Sequence, residues 1–203
     1  FGIALAVSRS DGGTRMTETG MNTSNPLTGE RIAGTVGPPL SGVSVRVVDD
    51  DGTPLAAGSV GGIEVKGSNV FAGYWRMPEK TREEFTADGW FRTGDVGQIL
   101  DNGYVRIVGR AKDLIITGGL NVYPKEIEER IDALPGVAES AVIGIPDADF
   151  GEAVTAVVVP RAGTTPSERE VIAALKAEIA SFKVPKRVLF VDELPRNAMG
   201  KVQ

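Results

Sequence analysis

Cysteine and histidine are both absent from the 203 residues of the chain. Without them the protein has no disulfides, no thiolate nucleophile, no histidine general base and no Ser-His-Asp triad, and it lacks the commonest zinc ligands. Any chemistry must therefore depend on lysine, arginine, carboxylates, hydroxyl groups and the backbone.

The chain also lacks an excess of positive charge and any long apolar run. Its formal net charge is -5, which provides no basic surface to attract the phosphates of nucleic acid. No stretch approaches the roughly 18 apolar residues that span a bilayer, and the opening FGIALAV has no basic leader. These features predict a cytoplasmic protein that binds neither nucleic acid nor membranes.

The sequence pattern changes twice along the chain. The first residue is Phe1 rather than methionine, so we interpret the chain as a possible fragment of a longer protein. Residues 1 to about 34 are rich in small polar residues and are predicted to be loop apart from the opening apolar run. From Gly34 onward, short alternating segments and the turn pairs Asp51-Gly52 and Asn102-Gly103 predict an all-β region with hairpins closed by primed turns.

After Asp113 the pattern changes to alternating helices and strands, which predicts a small α+β domain. Pro124 is predicted to begin a helix that presents Ile127 and Ile131 on one apolar face. A second helix is predicted to begin with a capping box at Thr165-Pro166-Ser167-Glu168. The strands predicted around these helices are LIIT, AESAVIGI, EAVTAVVVP and RVLFVDEL.

Three polar segments are candidate functional sites, and each has a simpler structural explanation. Residues 16–20, MTETG, place two hydroxyls around a carboxylate, which suits phosphate oxygens and a magnesium ion, although a solvated turn would look the same. Residues 92–95, RTGD, end in an aspartate that could accept hydrogen bonds from a ribose diol or form a turn. Residues 195–201, PRNAMGK, carry a lysine beside a glycine, which by itself indicates a surface lysine.

Taken together and in this order, these segments resemble the adenylate-forming acid–CoA ligase family, the AMP-binding acyl-CoA synthetases. The resemblance extends from about Met16 to the last residue and includes PEKT, GWFRTGD, GRAKD, ITGGLNVYPKEIE and LPRNAMGK. Within the family, MTETGMNTSNP, GYWRMPEKT, GGLNVYPKEIE and PDADFGEAVTAVVVP are most similar to malonyl-CoA synthetases.

The resemblance implies a fold and a division into domains. The class would be α+β, with a small β-barrel-like subdomain at the end of the large adenylating domain, followed by a small α+β C-terminal domain. We expect residues 1–109 to belong to the large AMP-binding domain, residues 110–113 to form a hinge and residues 114–203 to form the small mobile domain.

The resemblance also implies a role for each matching residue in nucleotide chemistry. Thr17 would contact the α-phosphate of ATP or of the acyl-adenylate, and Glu18 would hold Mg2+. Asp95 and Arg110 would bind the ribose hydroxyls. Lys201 would bridge the substrate carboxylate and the α-phosphate during adenylation, so that Lys201, Thr17 and Glu18 form the catalytic set.

Four further residues would serve the acid and coenzyme A. Lys112 would be the hinge residue, since a short charged pivot loses little hydration in either of two domain poses. Gly118 and Gly119 would line the tunnel for the pantetheine arm of CoA, because a residue without Cβ lets the backbone approach a narrow ligand. Met21, just after the TETG segment, would face the acyl pocket.

Two departures from the family pattern leave three functions open. Residues 1–15 contain no Gly/Ser/Thr-rich loop for the β- and γ-phosphates, and Gly13-Thr14-Arg15 stands where the family has an aromatic residue for adenine. The first function is an acid–CoA ligase that converts malonate, CoA and ATP to malonyl-CoA, AMP and diphosphate, here as a C-terminal fragment inactive without its N-terminal part. The second is an adenylation domain that loads a carrier protein. The third is a non-catalytic nucleotide-binding remnant.

Overall fold

The computed structural model describes residues 14–164, 166–198, 200 and 202–203. The chain divides into two compact units, Phe1–Ala111 and Lys112–Gln203. Sheets and three helices in these described ranges give the chain the α+β class that its sequence predicts. The boundary falls inside a short 3₁₀ turn, Ala111–Asp113, within the segment proposed as a hinge. The hinge motion itself stays a prediction.

Antiparallel strands and one short helix make up the first unit. Its elements are β1 (Thr14–Met16), β2 (Gly20–Thr23), β3 (Val43–Val48), β4 (Gly61–Gly67), α1 (Pro78–Glu84), β5 (Phe91–Ile99) and β6 (Val105–Arg110). One sheet has the order β3-β4-β5-β6, and β1 and β2 form a separate hairpin. In the described residues, the region predicted to be barrel-like is therefore an open sheet and not a closed barrel.

Two elements of the first unit lie where the sequence analysis does not predict them. The β1–β2 hairpin occupies part of the segment predicted as loop. It is not predicted because strands of three and four residues are too short to show an alternation of polar and apolar residues. Helix α1 interrupts the region predicted as all-β. It begins with Pro78 and has no buried residue, so it carries no apolar periodicity by which to recognise it.

The turn between β5 and β6 lies at Asn102-Gly103, as predicted, but it is not a primed turn. Among the described residues other than glycine, only Arg76 has a positive φ, so Asn102 is not left-handed, whereas Gly103 has a φ of 82°. The N–H of Gly103 donates to the carbonyl oxygen of Leu100 at 2.8 Å. The N–H of Leu100 donates to the carbonyl oxygen of Tyr104, also at 2.8 Å. These bonds define a three-residue loop whose last position requires glycine.

Alternate residues of β4 show how the sheet separates its two faces. Ile63 and Val65 lie in the core of the first unit with Val47 and Val105. Glu64, between them, projects from the opposite face, because successive side chains of a strand alternate. It is nevertheless only 3% exposed.

A network of charges and one aromatic ring covers Glu64. Arg46 Nε lies 2.7 Å from Glu64 Oε2, and Arg46 Nη1 lies 2.8 Å from Asp88 Oδ2. The Arg46 guanidinium also lies 4.4 Å from the centroid of the Trp90 ring. Arg92 Nε is 3.7 Å from the second oxygen of Glu64. Because a buried carboxylate is costly unless it is paired, these neighbours make Glu64 tolerable in the middle of the sheet.

The second unit is a mixed sheet with two helices. Its elements are β7 (Ile115–Thr117), β8 (Leu120–Val122), α2 (Pro124–Asp132), β9 (Val137–Asp147), β10 (Gly151–Pro160), α3 (Glu168–Lys176) and β11 (Arg187–Phe190). Strand β10 lies at the centre, because β9 pairs antiparallel along its length and β11 pairs parallel with residues 155–158. Gly151 of β10 also pairs with Thr117 of β7, and β8 completes the sheet.

Helices α2 and α3 pack against this sheet through the apolar faces that the sequence predicts. Ile127 and Ile131 of α2 are each 0% exposed, and Val171 and Leu175 of α3 are each 1% exposed. All four belong to one hydrophobic cluster with residues of β9, β10 and β11. None of the helices in the described ranges is long and apolar enough to cross a membrane.

The cap of α3 lies two residues later than predicted. Ser167 is the cap: its Oγ accepts the N–H of Glu170, and its own N–H donates to Glu170 Oε2 at 2.8 Å. The predicted box from Thr165 to Glu168 is therefore wrong, since Glu168 is already the first helical residue. Both stretches match the same sequence pattern, and Thr165 lies outside the described residues.

Strand β9 forms one edge of the sheet, and helix α2 closes part of that edge. The N–H of Val142 points away from β10 and donates to Glu128 Oε1 at 3.0 Å. Burial raises the pKa of Glu128. Four residues further along, on the same side of the strand, Pro146 has no N–H to donate.

Ile131→Ala should destabilise the second unit selectively. Truncating this fully buried side chain leaves a cavity, so the free energy of unfolding should fall by about 2–5 kcal/mol. Both tryptophans, Trp75 and Trp90, lie in the first unit. In a urea titration the variant should therefore shift the circular dichroism transition and leave the tryptophan fluorescence transition in place.

Ile143→Ala is the matched control, because Ile143 is 46% exposed on β9. It should change the free energy of unfolding by less than about 0.5 kcal/mol. Equal effects of the two substitutions, or a fluorescence transition shifted by Ile131→Ala, would contradict the separate cores.

Asp88→Asn should weaken the first unit at neutral pH but not in strong acid. Hydrogen bonds from the Thr86 hydroxyl and the Arg46 guanidinium hold the pKa of Asp88 at about 2, below its ordinary value of 3.8. A carboxyl whose pKa is lowered by folding adds stability above the ordinary value, and this contribution disappears as the pH falls to the folded value. Tryptophan fluorescence gives the urea midpoints of the parent and of Asp88→Asn. The difference between the two midpoints should be constant above about pH 5 and should largely vanish by about pH 2. An unchanged difference at the lowest pH would contradict this account.

Candidate functional site

The turn Thr17-Glu18-Thr19 joins β1 to β2. Gly20 follows it with a φ of 61°, a left-handed conformation that glycine adopts without strain. Thr17 is exposed, whereas Glu18 is 8% exposed and Thr19 is completely buried. The turn thus presents one threonine to solvent and directs the carboxylate inward.

A second loop, residues 69–74, holds the backbone of this turn. The N–H of Phe71 donates to the carbonyl of Glu18 at 2.8 Å. The side-chain amide of Asn69 donates to the carbonyl of Thr19 at 2.7 Å. Because both bonds come from outside the hairpin, the position of Glu18 depends on the tertiary fold of the unit and not on the turn by itself.

The two carboxylate oxygens of Glu18 are in different states. Oε1 accepts a hydrogen bond from the hydroxyl of Tyr74 at 3.2 Å. Burial, followed by the charge of Glu18, raises the pKa of Tyr74 to about 12, so the phenol keeps its proton at neutral pH. Oε2 is buried and has no hydrogen-bond partner in the described part of the chain. A buried charged oxygen in this state requires a ligand, an ion or water.

The unpaired oxygen of Glu18 fits the magnesium ion that the resemblance implies. Magnesium is commonly held by one or two carboxylates together with substrate phosphates and water. The described residues contain no group of three or more acidic side chains that could hold a metal. A single carboxylate therefore suits a metal that arrives with a nucleotide.

Asp95 and Arg110 are brought together across β5 and β6. They are partners in the strand register, and Arg110 Nε lies 3.4 Å from Asp95 Oδ1. Asp95 is 4% exposed, and its N–H donates to Thr93 Oγ1 at 3.1 Å. Arg110 Nη2 is buried and has no hydrogen-bond partner among the residues described. The pair therefore keeps a donor available for a ligand.

A small cavity lies where the β1–β2 hairpin meets the four-stranded sheet. Thr17 and Glu18 lie in the turn of that hairpin and do not line the cavity. Asp95 does line the cavity. The cavity therefore lies between the hairpin and strand β5, which carries this residue expected to bind the ribose. Its lining residues are Thr14, Met16, Asn22, Thr23, Val45, Ile63, Val65, Thr93, Asp95, Val105 and Ile107.

Met21 and Lys112 are both accessible. Met21 lies on β2 and is 48% exposed, so a large part of its thioether side chain is available to a ligand. Lys112 is exposed in the 3₁₀ turn at the unit boundary. These positions are compatible with the predicted acyl-pocket and hinge roles, which stay predictions.

Gly118 and Gly119 form the turn between β7 and β8. Their φ values are 56° and 77°, which strain any other residue. The N–H of Gly118 donates to the carbonyl of Phe150 at 2.8 Å, and a Cβ at Gly118 would lie 3.5 Å from the Phe150 ring. A Cβ at Gly119 would meet no atom within 4 Å. The space in front of Gly119 is therefore open within the second unit.

Lys201 lies outside the described residues. Two further residues of the site, Tyr74 and Asn69, contact the Glu18 turn and are not predicted from the sequence. Tyr74 belongs to GYWRMPEKT, one of the segments that resemble malonyl-CoA synthetases. Its position in that segment is the one signal that could have identified it.

Two family models match the chain. The AMP-binding enzyme model matches residues 15–75, and the AMP-binding enzyme C-terminal domain model matches residues 126–201. The first match contains the Glu18 turn and the loop that holds it. The second contains most of the second unit, including Lys201.

Known proteins resemble the chain over most of its length. A sulfoacetate–CoA ligase from Cupriavidus necator is 46% identical over 190 residues, with 93% of this chain and 37% of that protein covered. A malonate–CoA ligase from Arabidopsis thaliana is 42% identical over 198 residues, with 92% of this chain and 32% of that protein covered. The crystal structure of ATP-bound MatB from Rhodopseudomonas palustris has a TM-score of 0.88 at 64% identity, covering 93% of this chain and 38% of that chain.

These comparisons cover both parts of the candidate site. The chain spans about a third of the length of each of these three proteins. Within that part, the matches include both the buried Glu18 carboxylate of the first unit and the loop around Lys201. The chain therefore belongs to the AMP-binding enzyme family, as its resemblance to acid–CoA ligases predicts.

Proposed function

We propose that this chain is part of an acid–CoA ligase, which uses ATP to join a small carboxylic acid to coenzyme A through an acyl-adenylate. The observation that carries the proposal is the Glu18 carboxylate, whose Oε2 is buried without a hydrogen-bond partner in the described residues. An anionic oxygen in this state favours a cation, and a nucleotide-binding family supplies one as magnesium. The relatives from C. necator and A. thaliana are themselves named as CoA ligases.

In the first half-reaction, a carboxylate oxygen of the acid attacks the α-phosphorus of ATP, and diphosphate leaves. The acid is already ionised at neutral pH, so no general base is required, which suits a chain without histidine. Two anions must instead be brought together, and the charge of the transition state must be stabilised. Thr17 and Lys201 would act at the α-phosphate, and magnesium held by Glu18 would neutralise further phosphate charge.

Asp95 and Arg110 would hold the ribose. Asp95 can accept hydrogen bonds from two hydroxyls, and Arg110 Nη2 can donate to a ribose oxygen. Both groups are largely removed from solvent, which strengthens charge-assisted hydrogen bonds. The Arg110 guanidinium also compensates the Asp95 charge, so the site can exist before the nucleotide arrives.

In the second half-reaction, the thiol of CoA attacks the acyl-adenylate carbonyl. The thioester bond forms as the bond to AMP breaks, and the thiol proton passes to solvent. The Gly118-Gly119 turn would let the pantetheine arm approach, since the space in front of Gly119 is open. Lys112 would be the pivot that exchanges the adenylating and thioester-forming arrangements, as hinge residues absorb such changes.

Malonate is the acid that we propose, with Met21 at the acyl pocket. Support comes from the malonate–CoA ligase and from the sulfoacetate–CoA ligase, whose named acids both carry a second anionic group near the reacting carboxylate. Relatives named for indoleacetate and for feruloyl-CoA are each 44% identical. Overall identity therefore does not select the acid, and a direct comparison of substrates is needed.

The chain by itself should bind AMP in the presence of magnesium. Asp95→Asn should weaken the affinity at least about tenfold, because it removes the charge from two hydrogen bonds to the ribose. Isothermal titration of both proteins measures the difference. Asp101→Asn, at an exposed position in the β5–β6 turn, is the control and should bind like the parent. A parent chain that does not bind AMP, or equal losses in both variants, would contradict the ribose assignment.

Lys201→Ala and Gly119→Leu should impair opposite half-reactions in a complete enzyme, made by placing this chain in the corresponding third of R. palustris MatB. Lys201→Ala should lower malonate-dependent exchange of diphosphate into ATP by about 10²–10³ and spare thioester formation from supplied malonyl-adenylate. Gly119→Leu should slow thioester formation from malonyl-adenylate and leave the exchange of diphosphate into ATP unchanged.

Three outcomes would contradict these assignments. Equal slowing of both half-reactions by Lys201→Ala would contradict a role of Lys201 that is specific to adenylation. Faster exchange with indoleacetate than with malonate, measured on the natural full-length protein that contains this chain and not on the chimera, would contradict malonate as the substrate. Malonate-dependent exchange by the 203-residue chain alone would show that its upstream part is not required.

A further inference from the structure

The loop that carries Lys201 is closed at its base in the second unit. The N–H of Gln203 donates to the carbonyl of Pro195 at 2.9 Å. One step further in, Arg196 and Val202 pair through an isolated antiparallel bridge. The residues on either side of Lys201 therefore belong to a small hairpin.

Arg196 also holds the tip of this hairpin and connects it to the sheet. The N–H of Gly200 donates to the carbonyl of Asn197 at 2.9 Å, and Gly200 has a φ of 76°. Arg196 Nη1 donates to the carbonyl of Gly200 at 2.9 Å. Arg196 Nη2 donates to Glu139 Oε2 on β9. One guanidinium thus bonds both the residue before Lys201 and a strand of the second unit.

We propose that Arg196 is a positioning residue for Lys201, holding its loop in a fixed orientation on strand β9. The proposal rests on the proposed role of Lys201 in adenylation. A guanidinium suits this task because its planar donors address two acceptors at once in fixed directions. A lysine at the same position has a flexible stem and a single nitrogen, so it would not fix both contacts equally well.

The exposure of the ion pair separates this role from fold stability. The side chains of Arg196 and Glu139 are 42% and 30% exposed, and such pairs add little to global stability. Loss of Arg196 should therefore leave the unfolding midpoint almost unchanged. Its effect should be confined to local opening of the loop, since local and global opening are separate equilibria.

Amide hydrogen exchange, measured by NMR on this chain, tests the structural half of the proposal. In Arg196→Gln the amides of Gly200 and Gln203 should exchange about tenfold faster than in the parent, because charge-assisted hydrogen bonds that restrain the loop are lost. Glu139→Gln should give a smaller increase, since the bond to Gly200 remains. Arg187→Gln, at an exposed arginine of β11, is the control and should exchange like the parent. Unchanged exchange in Arg196→Gln would overturn the proposal.

The half-reactions of the complete enzyme test the functional half. Arg196→Gln should lower kcat for diphosphate exchange about tenfold, leave the KM for ATP within twofold, and leave thioester formation from malonyl-adenylate within twofold. Arg196→Lys should recover only part of the loss. A change of both half-reactions by the same factor would mean a general structural effect and would overturn the positioning role.

Lys201→Ala in the same assays distinguishes the two proposals. If it abolishes adenylation while Arg196→Gln has no effect, the role of Lys201 stands and that of Arg196 fails. If Lys201→Ala leaves adenylation intact, the proposed function of Lys201 fails, and a positioning role for Arg196 fails with it even if the loop opens faster.

Discussion

Burial of negative charge is the constraint on which the first unit depends. Glu18, Glu64 and Asp95 are 8%, 3% and 4% exposed, and a buried carboxylate is unfavourable unless it is paired and hydrogen-bonded. Arginines compensate two of them, with Arg46 beside Glu64 and Arg110 beside Asp95. Glu18 has a neutral phenol on one oxygen and no partner in the described chain on the other. This difference distinguishes Glu64, which supports the sheet, from Glu18, which has one oxygen available to a ligand.

The second unit depends on a different arrangement, in which strand β10 pairs with three other strands, β7, β9 and β11. Both helices contribute to the cluster around this strand, and no charged side chain of the second unit is among the buried residues that the structure describes. The turn at Gly119 and the described neighbours of Lys201, Gly200 and Val202, lie outside that core. A rigid sheet that carries short loops at its margins is a common way to position functional groups.

The sequence predicts those parts of the fold that repeat a pattern. Ile127 and Ile131 recur at helical spacing, and Asn102-Gly103 separates two alternating strands, so both elements are found where expected. The turn type and the cap of α3 are not predictable in this way, because several backbones satisfy the same residue pattern. At the site, Glu18 is recognisable from its motif, but its partner Tyr74 lies 56 positions away in the chain. No local pattern reports a contact of that range, and only the folded structure does.

The edge of the sheet at β9 has a consequence for the behaviour of the protein at high concentration. An unpaired edge strand offers its amides to any other strand, which is how sheets of separate molecules join and aggregate. Here the outward amide of Val142 is occupied by Glu128, and Pro146 offers none. A second molecule that approached this edge would find two of the outward donors missing, one on each side of Gly144. Strand β9 is 11 residues long, and it is nevertheless a poor template for intermolecular pairing.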